Sequence, residues 1–383
     1  MKNKFILFVL CLFVANFLAA QKLSTVSITS GGVIRTYLLY VPKLYDGKKS
    51  VPLVFNFHGY GSNATQQLLY GDFRAIADTA NFILALPEGT VVNGSAAFNN
   101  FGALDTKPDD VLLASNLIDS LSAKYNIDQS RIYSTGMSNG GFESYDLACF
   151  LSTRIAAIAS VCGTMVQIHL NACNPKRSVP ILHFHGTTDN VVSYDGKGGI
   201  LNSVHVDTLI KFWVNKNKCN PTPVATKIPD TNTADKSTVE QFTYKGAAAN
   251  VEFYKITDGG HTWPNSIISN SFGNTNRDIN ASELIWRFFK ANRLPTTPTN
   301  DLVDSDLQYN IYPNPSNGNF TIETNTAQNA DLQVFDIVGK LVFESKINDN
   351  KTTIQLPNQA KGIYFYKIKN EKSQTTSGKL IVE

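Results

Sequence analysis

One pentapeptide constrains this chain more than anything else in it. Gly136-Met137-Ser138-Asn139-Gly140 stands between an apolar run ending in Arg131-Ile132-Tyr133-Ser134-Thr135 and a segment from Gly141 to Phe150 that suits a helix. Strand, sharp turn and helix form the setting in which a Gly-x-Ser-x-Gly turn holds a serine Oγ exposed as a nucleophile. The glycines serve a mechanical purpose, because a serine in a strained turn needs neighbours without Cβ atoms where the strand and helix backbones crowd it. Ser138 is therefore the candidate attacking residue. Glycine makes up 25 of the 383 residues, enough for this spacing to arise by chance, so the motif needs chemical partners.

A serine nucleophile needs a base to take its proton and an acid to orient that base, and in one common layout these follow in the order Ser, Asp or Glu, His. Two later segments supply them in that order. The apolar strand Val179 to Phe184 runs through His185 into Gly186-Thr187-Thr188-Asp189, and the alternating strand Val251 to Ile256 runs into Thr257-Asp258-Gly259-Gly260-His261. A parallel sheet would deliver Ser138, Asp189 and His261 to one edge, where open α/β sheets place their sites. Asp195, Asp207 and Asp258 are the alternative acids. His58, His183 and His185 lie in or beside apolar strands and read as core or loop-anchoring residues, while His169 and His205 have no setting comparable to that of His261.

Acyl transfer also needs donors for the developing oxyanion. The backbone N–H of Asn139, next after the nucleophile, is one. The strand-to-loop segment Pro52 to Asn63 offers the other at Tyr60 N–H, with Gly61 as the alternative. Trp263, two residues past the base, is a candidate substrate contact, loop packing being its other reading.

These residues carry a family resemblance. The loop His58-Gly59-Tyr60-Gly61, the turn at Gly136 to Gly141, His185-Gly186-Thr187-Thr188-Asp189 and Gly259-Gly260-His261-Thr262-Trp263-Pro264 together resemble the secreted esterase family of polyhydroxybutyrate depolymerase-like, feruloyl and acetylxylan esterases. Leu86-Pro87-Glu88-Gly89-Thr90 and Asp109-Asp110-Val111 match the same pattern, and the likeness spans about residues 30 to 293. It implies an α/β-hydrolase fold, a carboxylic-ester substrate and a Ser138, Asp189, His261 triad. Where many relatives show a tryptophan and asparagine pair, this chain has Phe98-Asn99, which implies a different aromatic wall for the acyl pocket.

Composition excludes other classes. The formal charge of +3 falls to about +1 once Lys2 and Lys4 are set aside, which gives no basic surface for nucleic acid or anionic membrane. Met1-Lys2-Asn3-Lys4 and the apolar run Phe5 to Leu18, followed by Ala19-Ala20-Gln21, read as a secretory signal over residues 1–20, too short for a persuasive membrane anchor. Four cysteines then remain: Cys149, Cys162, Cys173 and Cys219. An exported chain with an even count permits two disulfides, with Cys149–Cys173 the favoured pair and buried thiols the alternative for the others. No cysteine and histidine spacing fits a metal, and no cofactor is expected.

After an edge hairpin over Thr25 to Val41, strands and helices alternate through Val251 to Ile256. That pattern argues for a mainly parallel sheet flanked by helices in a domain over residues 21–293. Asn280-Ala281-Ser282-Glu283 reads as the cap of a last helix through Ala291. The proline-bearing residues 294–306 suit a linker. Beyond it, short β-type runs separated by turn residues predict a small C-terminal β-sandwich over residues 307–383. There Tyr312-Pro313-Asn314-Pro315, Phe335 to Lys340, Lys361-Gly362-Ile363-Tyr364 and Gly378 to Val382 resemble the C-terminal sorting domain of the type IX secretion system of Bacteroidetes-type bacteria. A carbohydrate-binding appendage is the alternative. The resulting expectation is a monomeric, cofactor-free serine esterase, exported by that machinery to the cell surface or medium. Its expected substrate is a feruloyl or acetyl ester on plant polysaccharide, with a polyhydroxyalkanoate polyester as the alternative and a catalytically idle surface binding protein as the rival from another class.

Overall fold

The computed structural model describes residues 22–92, 94–100, 109–197, 203–268, 272–295, 309–324, 329–337, 339–356, 360–370 and 375–383. The expected signal segment and most of the expected linker lie outside these residues. The chain divides into two compact units on either side of the Leu294–Pro295 bond.

The first unit begins with strands β1 (Lys22–Ser30), β2 (Val33–Val41) and β3 (Val51–Phe57), helices α1 (Ala64–Tyr70) and α2 (Arg74–Ala80), and strand β4 (Ile83–Pro87). A short hairpin of β5 (Thr90–Val92) and β6 (Ser95–Ala97) precedes α3 (Asp110–Lys124), β7 (Ile127–Met137), α4 (Asn139–Phe150), β8 (Ala157–Val161), α5 (Gln167–Ala172) and β9 (Ile181–Gly186). The unit closes with α6 (Val206–Lys216), β10 (Val224–Lys227), β11 (Thr238–Tyr244), β12 (Val251–Thr257) and α7 (Ala281–Ala291). Ten strands form one sheet in the order β1-β2-β4-β3-β7-β8-β9-β12-β11-β10. Its centre, from β4 to β12, is parallel throughout, and both edges are antiparallel.

Strands β3, β8 and β9 are buried at every residue, which is why they read as near-continuous apolar runs. Alternate side chains enter opposite cores. Leu53, Phe55 and Phe57 join Leu117, Tyr145 and Trp213 on one face, while Val54 and Leu84 join Leu68, Ile285 and Phe288 on the other. Helices α3, α4 and α6 thus cover one face and α1, α2 and α7 the other, the layering of an α/β-hydrolase. In α7 the Asn280 side chain accepts the Glu283 N–H at 3.3 Å, and Ile285, Phe288 and Phe289 are buried at about 2 kcal/mol each. Trp286 stacks on Phe82 at 4.4 Å between centroids, as a packing residue.

Sequence periodicity did not find β10, β11 or the β5–β6 hairpin. All four residues of β10 are exposed, so it carries no apolar signal. The positioning consequence of the topology lies at the C-terminal ends of the parallel strands. Strand β7 stops at Met137, β9 at Gly186 and β12 at Thr257, so the residues that follow each emerge along one edge of the sheet.

The second unit consists of strands β13 (Tyr309–Tyr312), β14 (Asn319–Thr324), β15 (Ala330–Phe335), β16 (Leu341–Ile347), β17 (Lys351–Gln355), β18 (Gly362–Asn370) and β19 (Thr375–Val382). They form a three-stranded sheet, β13-β14-β17, and a four-stranded one, β16-β15-β18-β19. The two share a core that includes Phe320, Ile322, Leu332, Val334, Ile354, Ile368 and Leu380. That is a small antiparallel β-sandwich. Among the described residues no helix is long and apolar enough to cross a membrane.

Candidate active site

Ser138 sits at the junction of β7 and α4 with φ 54° and ψ −120°, a conformation that costs a non-glycine residue on the order of 1 to 3 kcal/mol. The surroundings hold it there. Its N–H donates to the Val161 carbonyl at 2.8 Å, and its own carbonyl accepts the N–H groups of Gly141 and Phe142 at 2.8 and 3.0 Å. The two motif glycines are required by the end of β3. A Cβ on Gly136 would lie 2.6 Å from the Phe57 carbonyl oxygen, and one on Gly140 would overlap that same oxygen. The elbow can therefore form only where β3, β7 and α4 converge without side chains between them.

Asp189 and His261 come together from loops 72 residues apart, with His261 Nδ1 2.8 Å from Asp189 Oδ2. The carboxylate can only accept, so Nδ1 carries the proton and the Nε2 lone pair is the basic one. The other oxygen, Oδ1, accepts the Val191 and Val192 N–H groups at 2.9 Å each. Burial pushes the Asp189 carboxyl upward, but the His261 bond and the neighbouring donors outweigh it and hold the group below its usual range. The alternative acids are elsewhere: Asp195 and Asp258 are exposed, and Asp207 accepts the Tyr194 hydroxyl at 2.7 Å. Among the other histidines, His169 bonds Asp146, and His205 caps α6.

Ser138 and His261 line one cavity of about 540 Å³, together with Gly59, Tyr60, Tyr70, Met137, Val191, Trp263, Ile268 and Phe272. No Ser138–His261 hydrogen bond forms among the described residues; such bonds in hydrolases commonly tighten only when substrate is present. Beside Ser138, the Gly61 N–H is consumed by the Ala96 carbonyl at 2.8 Å. The Tyr60 and Asn139 N–H groups have no acceptor among the described residues. Trp263 has both of its expected settings, lining the cavity while its Nε1 donates to Ser282 Oγ at 3.2 Å.

Three features were not read from the sequence. Phe98 is not among the cavity residues. Its ring packs edge-on against Phe57 at 5.0 Å, so the aromatic wall comes instead from Tyr60, Tyr70, Trp263 and Phe272. Its backbone is clamped by Asn139, whose Oδ1 accepts the Phe98 N–H at 2.7 Å and whose Nδ2 donates to Asn100 Oδ1 at 2.7 Å. Below that clamp, burial drives the Glu143 carboxyl well above the usual carboxylate range. Cys162 is the third. It is buried with φ 53°, and its Sγ lies with ligand atoms of Asp189 and His261 in a group within 4.8 Å, a juxtaposition that sequence spacing cannot reveal. Burial first and the Asp189 charge second keep its thiol protonated, and Asp189 and His261 already bond each other. The group is therefore poorly suited to a metal as it stands. The remaining cysteines follow the favoured pairing: Cys149 and Cys173 form a disulfide, and Cys219 is a buried thiol.

The sheet order, its flanking helices and the strand-turn-helix at Ser138 define an α/β-hydrolase architecture. By sequence, the chain is similar to feruloyl and acetylxylan esterases. It is 30% identical to feruloyl esterase B of Piromyces equi over 197 residues, which is 49% of this chain and 37% of that protein. It is 32% identical to the bifunctional acetylxylan esterase/xylanase XynS20E of Neocallimastix patriciarum over 150 residues, 39% of this chain and 21% of that one. The chain thus spans well under half the length of these two relatives. A probable feruloyl esterase C of Aspergillus clavatus is matched over 84% of its length at 27% identity, covering 67% of this chain. Residues 310–383 match the family model described as a secretion system C-terminal sorting domain.

Proposed function

We propose that this protein is a secreted serine carboxylesterase acting on feruloyl or acetyl esters of plant polysaccharide. Residues 1–20 would be a signal peptide, 21–293 the esterase domain, 294–306 the linker and 307–383 the sorting domain. The carrying observation is the 2.8 Å bond from His261 Nδ1 to Asp189 Oδ2, with that imidazole and the strained Ser138 on the wall of one cavity. In this reading His261 Nε2 takes the Ser138 proton as Oγ attacks the ester carbonyl, and Asp189 steadies the imidazolium. The Tyr60 and Asn139 N–H groups receive the oxyanion. His261 then protonates the leaving alcohol, and a water activated by the same nitrogen hydrolyses the acyl-enzyme.

An aromatic acyl group suits the Tyr60, Tyr70, Trp263 and Phe272 lining, and the sorting-domain match supports delivery to the cell surface or medium, where polymers too large to import are met. Ile268 and Phe272, 38% and 48% exposed, line the cavity while remaining open to solvent, and favour a polyester such as polyhydroxybutyrate as the second reading. The test is a panel of methyl ferulate, acetylated xylan, short p-nitrophenyl esters and polyhydroxybutyrate on wild type beside Ser138→Ala. Activity surviving that substitution removes the nucleophile assignment. Absence of turnover on every ester favours the binding-protein alternative.

A further inference from the structure

Behind Asp189 lies a row of three rings that the proton-transfer scheme does not use. Tyr145 Oη is 2.9 Å from His183 Nδ1, His183 Nε2 is 3.2 Å from His185 Nδ1, and His185 Nε2 is 2.8 Å from the Val192 carbonyl. The same His185 Nε2 stands 3.5 Å from Asp189 Oδ2. All three side chains are fully buried, with 0% exposure.

One acceptor-only group orders every proton in the row. The Val192 carbonyl cannot donate, so His185 Nε2 carries hydrogen and, in a neutral ring, Nδ1 accepts. His183 Nε2 must then donate to that Nδ1, which leaves His183 Nδ1 to accept from the Tyr145 hydroxyl. This tautomer assignment follows from hydrogen-bond logic and requires both rings to be neutral. Burial depresses both imidazoles, as that requires.

The row ends on the loop that carries the acid. Val192 is held twice, its N–H by Asp189 Oδ1 at 2.9 Å and its carbonyl by His185. Asp189 thereby spends one oxygen on its own loop and presents the other to His261, with the His185 N–H behind it. The opposite end of the row, Tyr145, belongs to α4, the helix that starts one residue after Ser138. A chain of oriented hydrogen bonds therefore ties the nucleophile's helix to the acid's loop.

We propose that His185, oriented by His183 and Tyr145, is a positioning residue that clasps the Asp189 loop at Val192 and keeps the Asp189 carboxylate turned to His261. This rests on the reading of Ser138, Asp189 and His261 as a catalytic set. The test compares full-length wild type, His185→Phe, His185→Gln and Tyr145→Phe, with folding checked by urea denaturation. Each is assayed for kcat and KM on p-nitrophenyl acetate and for the rate of Ser138 labelling by a p-nitrophenyl alkylphosphonate.

His185→Phe keeps the packing and loses both bonds. It is expected to lower kcat and the labelling rate by roughly 10- to 100-fold, with KM within about twofold, because small misplacements of catalytic groups carry penalties of that size. His185→Gln can still donate to Val192 and accept from His183, and is expected to recover most of the loss. Tyr145→Phe frees the His183 tautomer and is expected to lower kcat several-fold. A folded His185→Phe with wild-type kcat and labelling overturns the proposal, as does a folded His185→Gln no better than His185→Phe. Should His185→Phe fail to fold, wild-type kcat and labelling in Tyr145→Phe overturn it. Wild type inert to the phosphonate would instead sink the esterase reading itself.

Discussion

At Ser138 the chain accepts a backbone conformation that isolated serine avoids, and the neighbouring residues make it the only one available. Gly140→Ala would drive a Cβ into the Phe57 carbonyl, so the elbow must open or β3 must shift. The expected outcome is loss of soluble protein, or a folded variant with kcat reduced at least about 100-fold, since a small misplacement of the reacting atom costs that much. Asp189→Asn should keep the fold and lower kcat by about 10⁴-fold, because an amide in place of the carboxylate favours the wrong His261 tautomer; steady-state kinetics with an activated ester measure it. His58 supplies a pH test. Burial above all draws its imidazole down to about 4, and its Nε2 accepts the Gly89 N–H at 2.9 Å, a bond the protonated ring cannot make. The folded state resists protonation that the unfolded chain accepts near pH 6.5. This contribution is therefore full above pH 6.5 and is lost as pH falls toward 4, about 3 kcal/mol in all. Urea titrations at pH 7 and pH 4 should show the stability gap between wild type and His58→Gln narrowing by up to that amount.

Among the elements, α4 bears the most constraints. Its first residue, Asn139, clamps the Phe98 backbone, its middle supplies Tyr145 to the buried histidine row, and its end is tied to the end of α5 by Cys149–Cys173. With the bridged residues 24 apart in sequence, closing that loop restricts the unfolded chain by about 3 kcal/mol. The double variant Cys149→Ala/Cys173→Ala is expected to lose about that much stability in urea while leaving ester hydrolysis within about twofold. Asn139→Ala strands the buried Phe98 N–H, and an unpaired donor of this kind costs roughly 1 to 3 kcal/mol. The same denaturation measurement reads it. The strands were easy to anticipate where both faces are buried, since continuous apolar runs leave few alternatives. Strand β10 was not, because an exposed edge strand is defined by its partner β11 and not by its own side chains.

For the whole molecule, the two units have separate apolar cores. Compact units that share no core unfold as separate cooperative bodies, so calorimetry on the full chain should resolve two transitions. One merged transition with a single van't Hoff enthalpy would contradict this. Deleting residues 307–383 tests the sorting proposal: the esterase should be retained within the envelope while its specific activity in lysate stays within about twofold of full length. Normal appearance in the medium with weaker polysaccharide binding would favour a carbohydrate-binding appendage.

Taken alone, the amino-acid order determined the fold class, the strand-turn-helix around Ser138 and the succession of Ser, Asp and His behind three strands. Those are consequences of local stereochemistry and of hydrophobic periodicity, which act over a few residues and are visible there. Only the tertiary structure decided which acid meets His261, that Gly61 N–H is spent on Ala96, that Phe98 packs in the core instead of lining the cavity, and that His183 and His185 stand in line behind Asp189. Each of these turns on side chains from distant segments meeting in a buried, low-dielectric space. There a single 2.8 Å hydrogen bond, such as His185 to the Val192 carbonyl, selects one proton arrangement among several that the sequence permits.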